Sequence, residues 1–185
     1  GADPLQVQAA GGNTSIKSGG RLWIKASGTW LARALDDDIM VPVALEPLLQ
    51  AVAHGRADAD QPHRFVDDDL NPSGLRPSVE TSVHAVLPHK VVVHVHCVDT
   101  IALAVRKDAE TILGERLKGM NPLFIPYVKP GLSLAHAIAK RRTHGTDIVV
   151  LGNHGLVVAA DSVGAAETLL ARVRGLLAQP ARALP

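Results

Sequence analysis

The sequence predicts a single α/β domain over residues 1–185, and three observations carry that reading. The chain has 185 residues, 46% of them apolar and 20% charged, which suffices for one core and is ordinary for a globular protein. Short β-branched runs bounded by Gly, Pro and Asn alternate with stretches of helical periodicity. No internal repeat and no low-complexity linker divides the chain.

The elements follow in order. Ala9 to Lys17 opens on a turn, Gly11-Gly12-Asn13, then a short strand over 14–17. Gly19-Gly20 reads as a hairpin turn into a second strand, 22–26. Ala26-Ser27-Gly28-Thr29 is another small-residue turn. Asp36 to Asp38 is a solvated turn before a strand at 39–43. Glu46 to His54 reads as a short helix, and 55–76 as one long irregular segment. Ser78 stands at a helix N-cap, with Val79, Val83, Val86 and Leu87 as the apolar stripe and Pro88 as the stop. Lys90 to Val98 is a strand. Asp99 or Thr100 caps a helix reaching Ala109. A strand near 123–128 precedes the Pro130-Gly131 turn and a helix over 133–142. Strands at 147–151 and 156–159 flank the tight turn Gly152-Asn153-His154-Gly155. The last helix starts at Asp161, with the stripe Val163, Ala166, Leu170, Val173 and Leu177.

Composition excludes several functional classes. Lys and Arg total 19 against 18 Asp and Glu, a net charge of +1 with no basic run, so no nucleic-acid partner is expected. The single cysteine, Cys97, can form no intrachain disulfide and no cysteine-rich zinc ribbon. No apolar stretch reaches the roughly 18 residues of a membrane span, and no signal-peptide pattern is present at the start. Gly1 in place of Met reads as a processing scar. The expectation is a cytoplasmic enzyme or binding module without membrane association.

Nine histidines against five aromatic residues is an unusual ratio. His94 and His96 stand one residue apart on a β-branched run, where alternate side chains share a face. Two imidazoles so spaced can chelate one divalent ion, although hydrogen-bonded strand histidines have the same spacing. The opposite face then takes Val93, Val95 and Cys97, with Cys97 in the core. His154 adds a third ring on a glycine-flanked turn that permits a sharp bend and close approach. Three histidines with an open position is the pattern of a catalytic zinc site, while imidazole also suits Co, Ni, Cu and Fe. Glu80 falls in the first turn of the helix opened by Ser78. The helix dipole favours an acid there whether or not it has further work, and beside a metal-bound substrate it would be a general base. His84, one turn along, reads as a supporting residue rather than a ligand.

Three small-residue turns could receive an anion through N–H groups and hydroxyls: Gly12-Asn13-Thr14-Ser15, Ser27-Gly28-Thr29 and Pro77-Ser78. Lys17, Lys25 and Arg76 lie close to them in sequence. They read as solvated charges, with Arg76 the best candidate for an exception.

These pieces in this order, together with His84, His94-Val95-His96 and His154-Gly155-Leu156, resemble the class II aldolase/adducin family. L-fuculose- and L-rhamnulose-phosphate aldolases are its best-known members. The resemblance implies a three-layer αβα fold, with a central, mainly antiparallel sheet covered by helices. It implies zinc on His94, His96 and His154, Glu80 as the acid/base, and Asn13, Ser27, Gly28 and Ser78 around the substrate phosphate. The implied enzyme is a metal-dependent aldolase, an aldehyde-lyase of carbohydrate metabolism. It would cleave a ketose phosphate or related sugar acid through an enediolate, commonly as a homotetramer. Relatives on this fold that epimerise, dehydrate or decarboxylate sugar acids, and non-catalytic adducin-like interaction domains, are the alternatives. Asp3 to Gln8 and Trp23 to Thr29 look closest to aldolase modules that can be joined to a short-chain dehydrogenase. Three features depart from the fuculose type. Val79 replaces a second hydroxyl before the glutamate, with Arg76 or a carboxylate substrate as compensation. Only ten residues precede Gly11. Tyr127 is the only tyrosine available as a proton donor across a subunit boundary, and the preferred reading packs it within Pro126 to Pro130.

Overall fold

A computed structural model describes residues 1–180, so residues 181–185 of the expected domain lie outside the described part. A seven-stranded sheet organises the chain in the order β3-β2-β1-β4-β7-β6-β5. The strands are β1 (Asn13–Ser18), β2 (Arg21–Lys25), β3 (Met40–Ala44), β4 (Val91–Val95), β5 (Leu123–Ile125), β6 (Ile148–Leu151) and β7 (Gly155–Ala160). All neighbours run antiparallel except β5 and β6. The helices are α1 (Leu45–Ala53), α2 (Thr81–Val86), α3 (Val98–Ala104), α4 (Ala109–Arg116), α5 (Leu132–Arg141) and α6 (Val163–Leu177).

The strand period of two sorts side chains into two cores. On β6, Val149 and Leu151 join one cluster and Ile148 and Val150 the other; on β7, Val157 and Ala159 oppose Leu156 and Val158. The first cluster holds Leu48 and Val52 of α1, Val83 and Val86 of α2, and Leu134 and Ile138 of α5. The second holds Leu103 of α3, Leu113 of α4, and Val173 and Leu177 of α6. Helices thus cover both faces, giving the expected three layers. Among the described residues no helix is long and apolar enough to cross a membrane.

Most elements lie within a residue or two of their sequence positions, and the differences have local causes. The strand read over 90–98 ends at Val95, because the chain turns away at His96 and the Val98 N–H donates to Leu5 O. His96 therefore stands beyond the strand rather than on its face, while Cys97 is buried in the second core as expected. Val98 begins α3, ahead of the expected cap at Asp99 or Thr100, and α3 stops at Ala104. A separate helix, α4, was not expected: its apolar stripe is narrow and Gly114 lowers its propensity. Helix α2 starts at Thr81, so Glu80 occupies the N-cap position rather than the first turn, and Val79 is 63% exposed instead of joining the stripe. Ser162, not Asp161, caps α6 by accepting from Ala165 N–H, and Val163 at the helix start is exposed. Within 55–76 the chain makes three 3-10 turns.

Candidate metal centre and active site

The central strands bring the site together at one end of the sheet. Asn13 at the start of β1 pairs with His94 near the end of β4, and Val95 beside it pairs with Leu156 of β7. His94 shares the face of Val92, which belongs to the core covered by α2. The N-cap of α2 thereby sets Glu80 against His94, with Oε2 3.4 Å from its Nε2. His154 arrives on the turn between β6 and β7, its Nε2 3.5 Å from Glu80 Oε1. A Cβ at Gly155 would stand 2.5 Å from Val95 O and 3.1 Å from His94 Cε1, so only glycine lets this turn close on the rings.

The three rings converge as expected from the sequence. Ring centroids of His94 and His96 lie 4.9 Å apart, those of His94 and His154 4.9 Å, and those of His96 and His154 5.4 Å. One nitrogen from each ring falls within 4.8 Å of the other two. His94 Nδ1 donates to Leu156 O at 3.1 Å, which leaves the Nε2 lone pair free. The Nε2 atoms of His94 and His96, Nδ1 of His154 and Oε1 of Glu80 are buried without a hydrogen-bond partner. Buried polar atoms are normally satisfied, and unpartnered nitrogens on three converging rings fit a set that could hold a divalent cation. Burial lowers His94 to about 4, against the opposing pull of Glu80, and lowers His96 as well. Neutral imidazole is the form that ligates metal.

Glu80 is held from behind. Asn13 Nδ2 donates to Glu80 Oε2 at 2.9 Å and to Ser78 Oγ at 3.2 Å. His84 Nε2 donates to Asn13 Oδ1, and Ser15 Oγ donates to His84 Nδ1 at 2.7 Å. This chain fixes the amide of Asn13 and the tautomer of His84. Burial lowers His84 to about 3, so it is a neutral structural ring and, as expected, not a member of the converging set. Burial pushes the Glu80 carboxyl up, but His94, His154 and the Asn13 amide outweigh it and hold the group below its ordinary value.

The other expected anion contacts gather beside this centre. Ser78 N–H donates to Lys25 O, Ser27 N–H donates to Arg76 O, and Ala26 bridges Pro77. Ser27 lines a cavity of about 460 Å³ together with Arg76, His63 and Val79. Arg76 is exposed there, as read from the sequence, and its Nη2 lies 3.4 Å from His63 Nδ1. Three sequence readings are corrected. Lys25 is not solvated; its side chain is buried and bonded to backbone carbonyls. Lys17 Nζ likewise donates to the carbonyls of His84, Leu87 and His89 at the end of α2. Tyr127 is exposed rather than packed, beside Gly152 and Asn153. The two lysines carry no sequence signal of burial except their places on strands.

The model of the Class II Aldolase and Adducin N-terminal domain matches residues 4–178. The chain belongs to this family. It is 29% identical over 181 residues to the uncharacterized oxidoreductase YuxG of Bacillus subtilis, covering 85% of this chain. It spans only 24% of that relative's length. It is 24% identical over 163 residues to L-fuculose phosphate aldolase of Methanocaldococcus jannaschii, covering 84% of this chain and 75% of that protein. Among solved structures, the N-terminal class II aldolase domain of a conserved Thermoplasma acidophilum protein superposes with a TM-score of 0.74. It is 28% identical, covering 91% of this chain and 87% of that one. L-fuculose-1-phosphate aldolase of Thermus thermophilus has the same fold, with a TM-score of 0.58 and 21% identity over 93% of this chain and 82% of that one.

Proposed function

We propose that the chain is a zinc-dependent aldolase module, 1–185, that cleaves a ketose phosphate into a dihydroxyacetone-type fragment and a small aldehyde. The observation that carries the proposal is the set of orphaned ligand atoms on His94, His96 and His154 beside the carboxylate of Glu80. The phosphate aldolase from M. jannaschii, matched over 84% of this chain, supports the substrate class. The oxidoreductase in the name of YuxG describes a protein of which this chain matches 24%.

His94, His96 and His154 would hold the ion. Bound there, a divalent cation would supply Lewis acidity toward a substrate carbonyl and a positive charge for the anion that develops next to it. Glu80, ionised at neutral pH, holds and moves the proton at the carbon adjacent to that carbonyl. Asn13 orients the carboxylate through its 2.9 Å bond, and His84 orients Asn13. Ser78 Oγ accepts from Asn13 and from Glu80 N–H, so its own hydrogen is free to donate to the substrate phosphate. Ser27 and Gly28 complete the phosphate contacts, and Asn13 serves them through Ser78. The buried orphan nitrogens weigh against a non-catalytic adducin-like role, which needs no ligand set.

A second reading has a specific basis. Val79 offers no hydroxyl to the anion, while Arg76 faces the neighbouring cavity. That pairing suits the carboxylate of a sugar acid, the substrate of an epimerase, dehydratase or decarboxylase on this fold. We place the module in a cytoplasmic homotetramer, on family resemblance. The deciding experiment is turnover of zinc-loaded protein on ketose 1-phosphates and sugar acids, with trapping of the released aldehyde. Aldehyde release that Glu80→Gln abolishes is the expected result; release unchanged in that variant overturns the role of Glu80. Products lacking any carbon–carbon cleavage overturn the aldolase reading.

A further inference from the structure

Helix α2 presents Glu80 from its N-cap, yet it is only six residues long and has no side-chain cap of its own. A helix of that length does not hold itself together in water. Pro88 follows it with no glycine between, so the carbonyls of its last turn need donors from elsewhere. Strand β1 supplies the contacts. Asn13, Ser15 and Lys17 alternate along β1 and share the face turned to α2. Asn13 binds Glu80 and Ser78 at the front of the helix, and Ser15 binds His84 in its middle. Lys17 takes the far end. Its Nζ donates to His84 O at 3.0 Å, to Leu87 O, and to His89 O at 2.8 Å.

An ammonium has three hydrogens, and these carbonyls use all of them. The Lys17 N–H donates to Lys90 O at 2.8 Å, so main chain and side chain of one residue hold the segment that leaves α2. Behind it, β1 lies between β2 and β4 and pairs with both. Among the described residues no carboxylate lies within salt-bridge distance of the ammonium. Burial, and then the Arg142 guanidinium, pull it down to about 8. Below that value the native protein carries a cation that its surroundings disfavour. A methionine would fill the same space without that cost, but it could donate to no carbonyl. The lysine is placed for what it binds, and it binds the helix that presents Glu80.

We propose that Lys17 is a positioning residue for Glu80: by tying the C-terminal carbonyls of α2 to β1, it sets where the helix stands along the strand and where the carboxylate meets His94 and His154. A shift of α2 along β1 would move Glu80 Oε2 from its place 3.4 Å from His94 Nε2, and Oε1 from its place 3.5 Å from His154 Nε2. Asn13 alone does not prevent that shift, because its amide is itself held by His84 of the same helix. Ser15 holds only a side-chain ring, whereas Lys17 holds main-chain atoms. The purpose of the placement rests on reading Glu80 as the acid/base. The grip on α2 depends on neither the metal nor the reaction, so the two readings fail separately.

The test compares the parent with Lys17→Met by hydrogen exchange of the metal-free protein and by the visible bands of the cobalt(II)-loaded protein. Exchange at the amides of 81–87 is expected to rise about tenfold or more, while those of β6 and β7 exchange as in the parent. Cobalt is expected to bind at one per chain with shifted bands, because the carboxylate beside the histidines has moved. In a Glu80→Gln background the same substitution is expected to shift the bands no further. Parent-like bands in Lys17→Met, an equal shift in both backgrounds, or exchange raised as much in β6 and β7 as in α2 overturns the proposal. If Lys17→Met does not fold, Lys17→Gln, which keeps amide donors without the charge, is read in the same way, with the same pattern expected at smaller size. In aldehyde release the loss is expected in kcat, about tenfold, with KM unchanged, and a parent-like kcat overturns the proposal. A parent that releases no aldehyde would instead strike the aldolase reading and leave the exchange and cobalt outcomes intact.

Discussion

His84 and the cluster of His94, His96 and His154 are neighbours in one site, yet their surroundings are opposite. Both nitrogens of His84 are bonded, one by Ser15 and one to Asn13. The three clustered rings each keep a buried nitrogen with no partner. His84 is as buried as His94, and burial pushes both imidazoles towards the neutral form. Burial and pKa therefore do not separate a ligand from a structural ring here. What separates them is satisfaction: a complete hydrogen-bond set makes a brace, and converging rings with unpartnered nitrogens could hold a cation.

The largest expected effect tests what the cluster and the brace jointly serve. Glu80→Gln should cut aldehyde release by about 10²–10⁴-fold, the range for a positioned acid/base, while zinc content measured by elemental analysis stays at one per chain. Next, His94→Ala should weaken zinc more than about 100-fold, whereas His84→Ala should stay below the loss typical of an outer hydrogen-bond partner. Competition with a chromophoric chelator reads both, and equal losses would erase the distinction between the two environments. In denaturant melts of the metal-free protein the ranking should reverse around His84. His84→Ala strands Asn13 Oδ1 and the Ser15 hydroxyl and opens a cavity, for about 2–4 kcal/mol.

The same contrast has a pH signature. His84 has its folded pKa depressed to about 3, from the ordinary 6.5. Between those values the unfolded chain binds a proton that the native protein refuses. Stability of the metal-free protein should therefore fall as pH drops from about 6.5 towards 3, and His84→Gln should flatten that slope. The urea midpoint at pH 7 and pH 5 measures it. The smallest effect belongs outside both environments: Val79→Ser, at an exposed position, should change stability by no more than about 0.5 kcal/mol in the same melts.

Much of this contrast was legible in the residues. Alternation on a β-branched run marked His94, and glycines beside His154 marked a turn able to approach it. The hairpin at Gly19-Gly20, the stop at Pro88 and the Pro130-Gly131 turn fixed neighbouring elements. Illegible were features decided by tertiary contact. His96 leaves its strand because Leu5, far away in sequence, captures Val98 N–H. Glu80 moves from the first turn to the N-cap because α2 begins only at Thr81. Lysine is a surface residue by default, so nothing local announced that Lys25 and Lys17 would bond backbone carbonyls in the interior. Val79 and Val163 fit helical periodicity but precede or open their helices, where no layer covers them.

The central claim is that three histidines hold one catalytic ion. X-ray absorption at the zinc edge of the reconstituted protein tests it most directly. The account predicts one zinc per chain with three imidazole nitrogens at about 2.0–2.1 Å and one open or water-filled position. A protein that takes up no zinc, or holds it through oxygen ligands alone, would contradict the account.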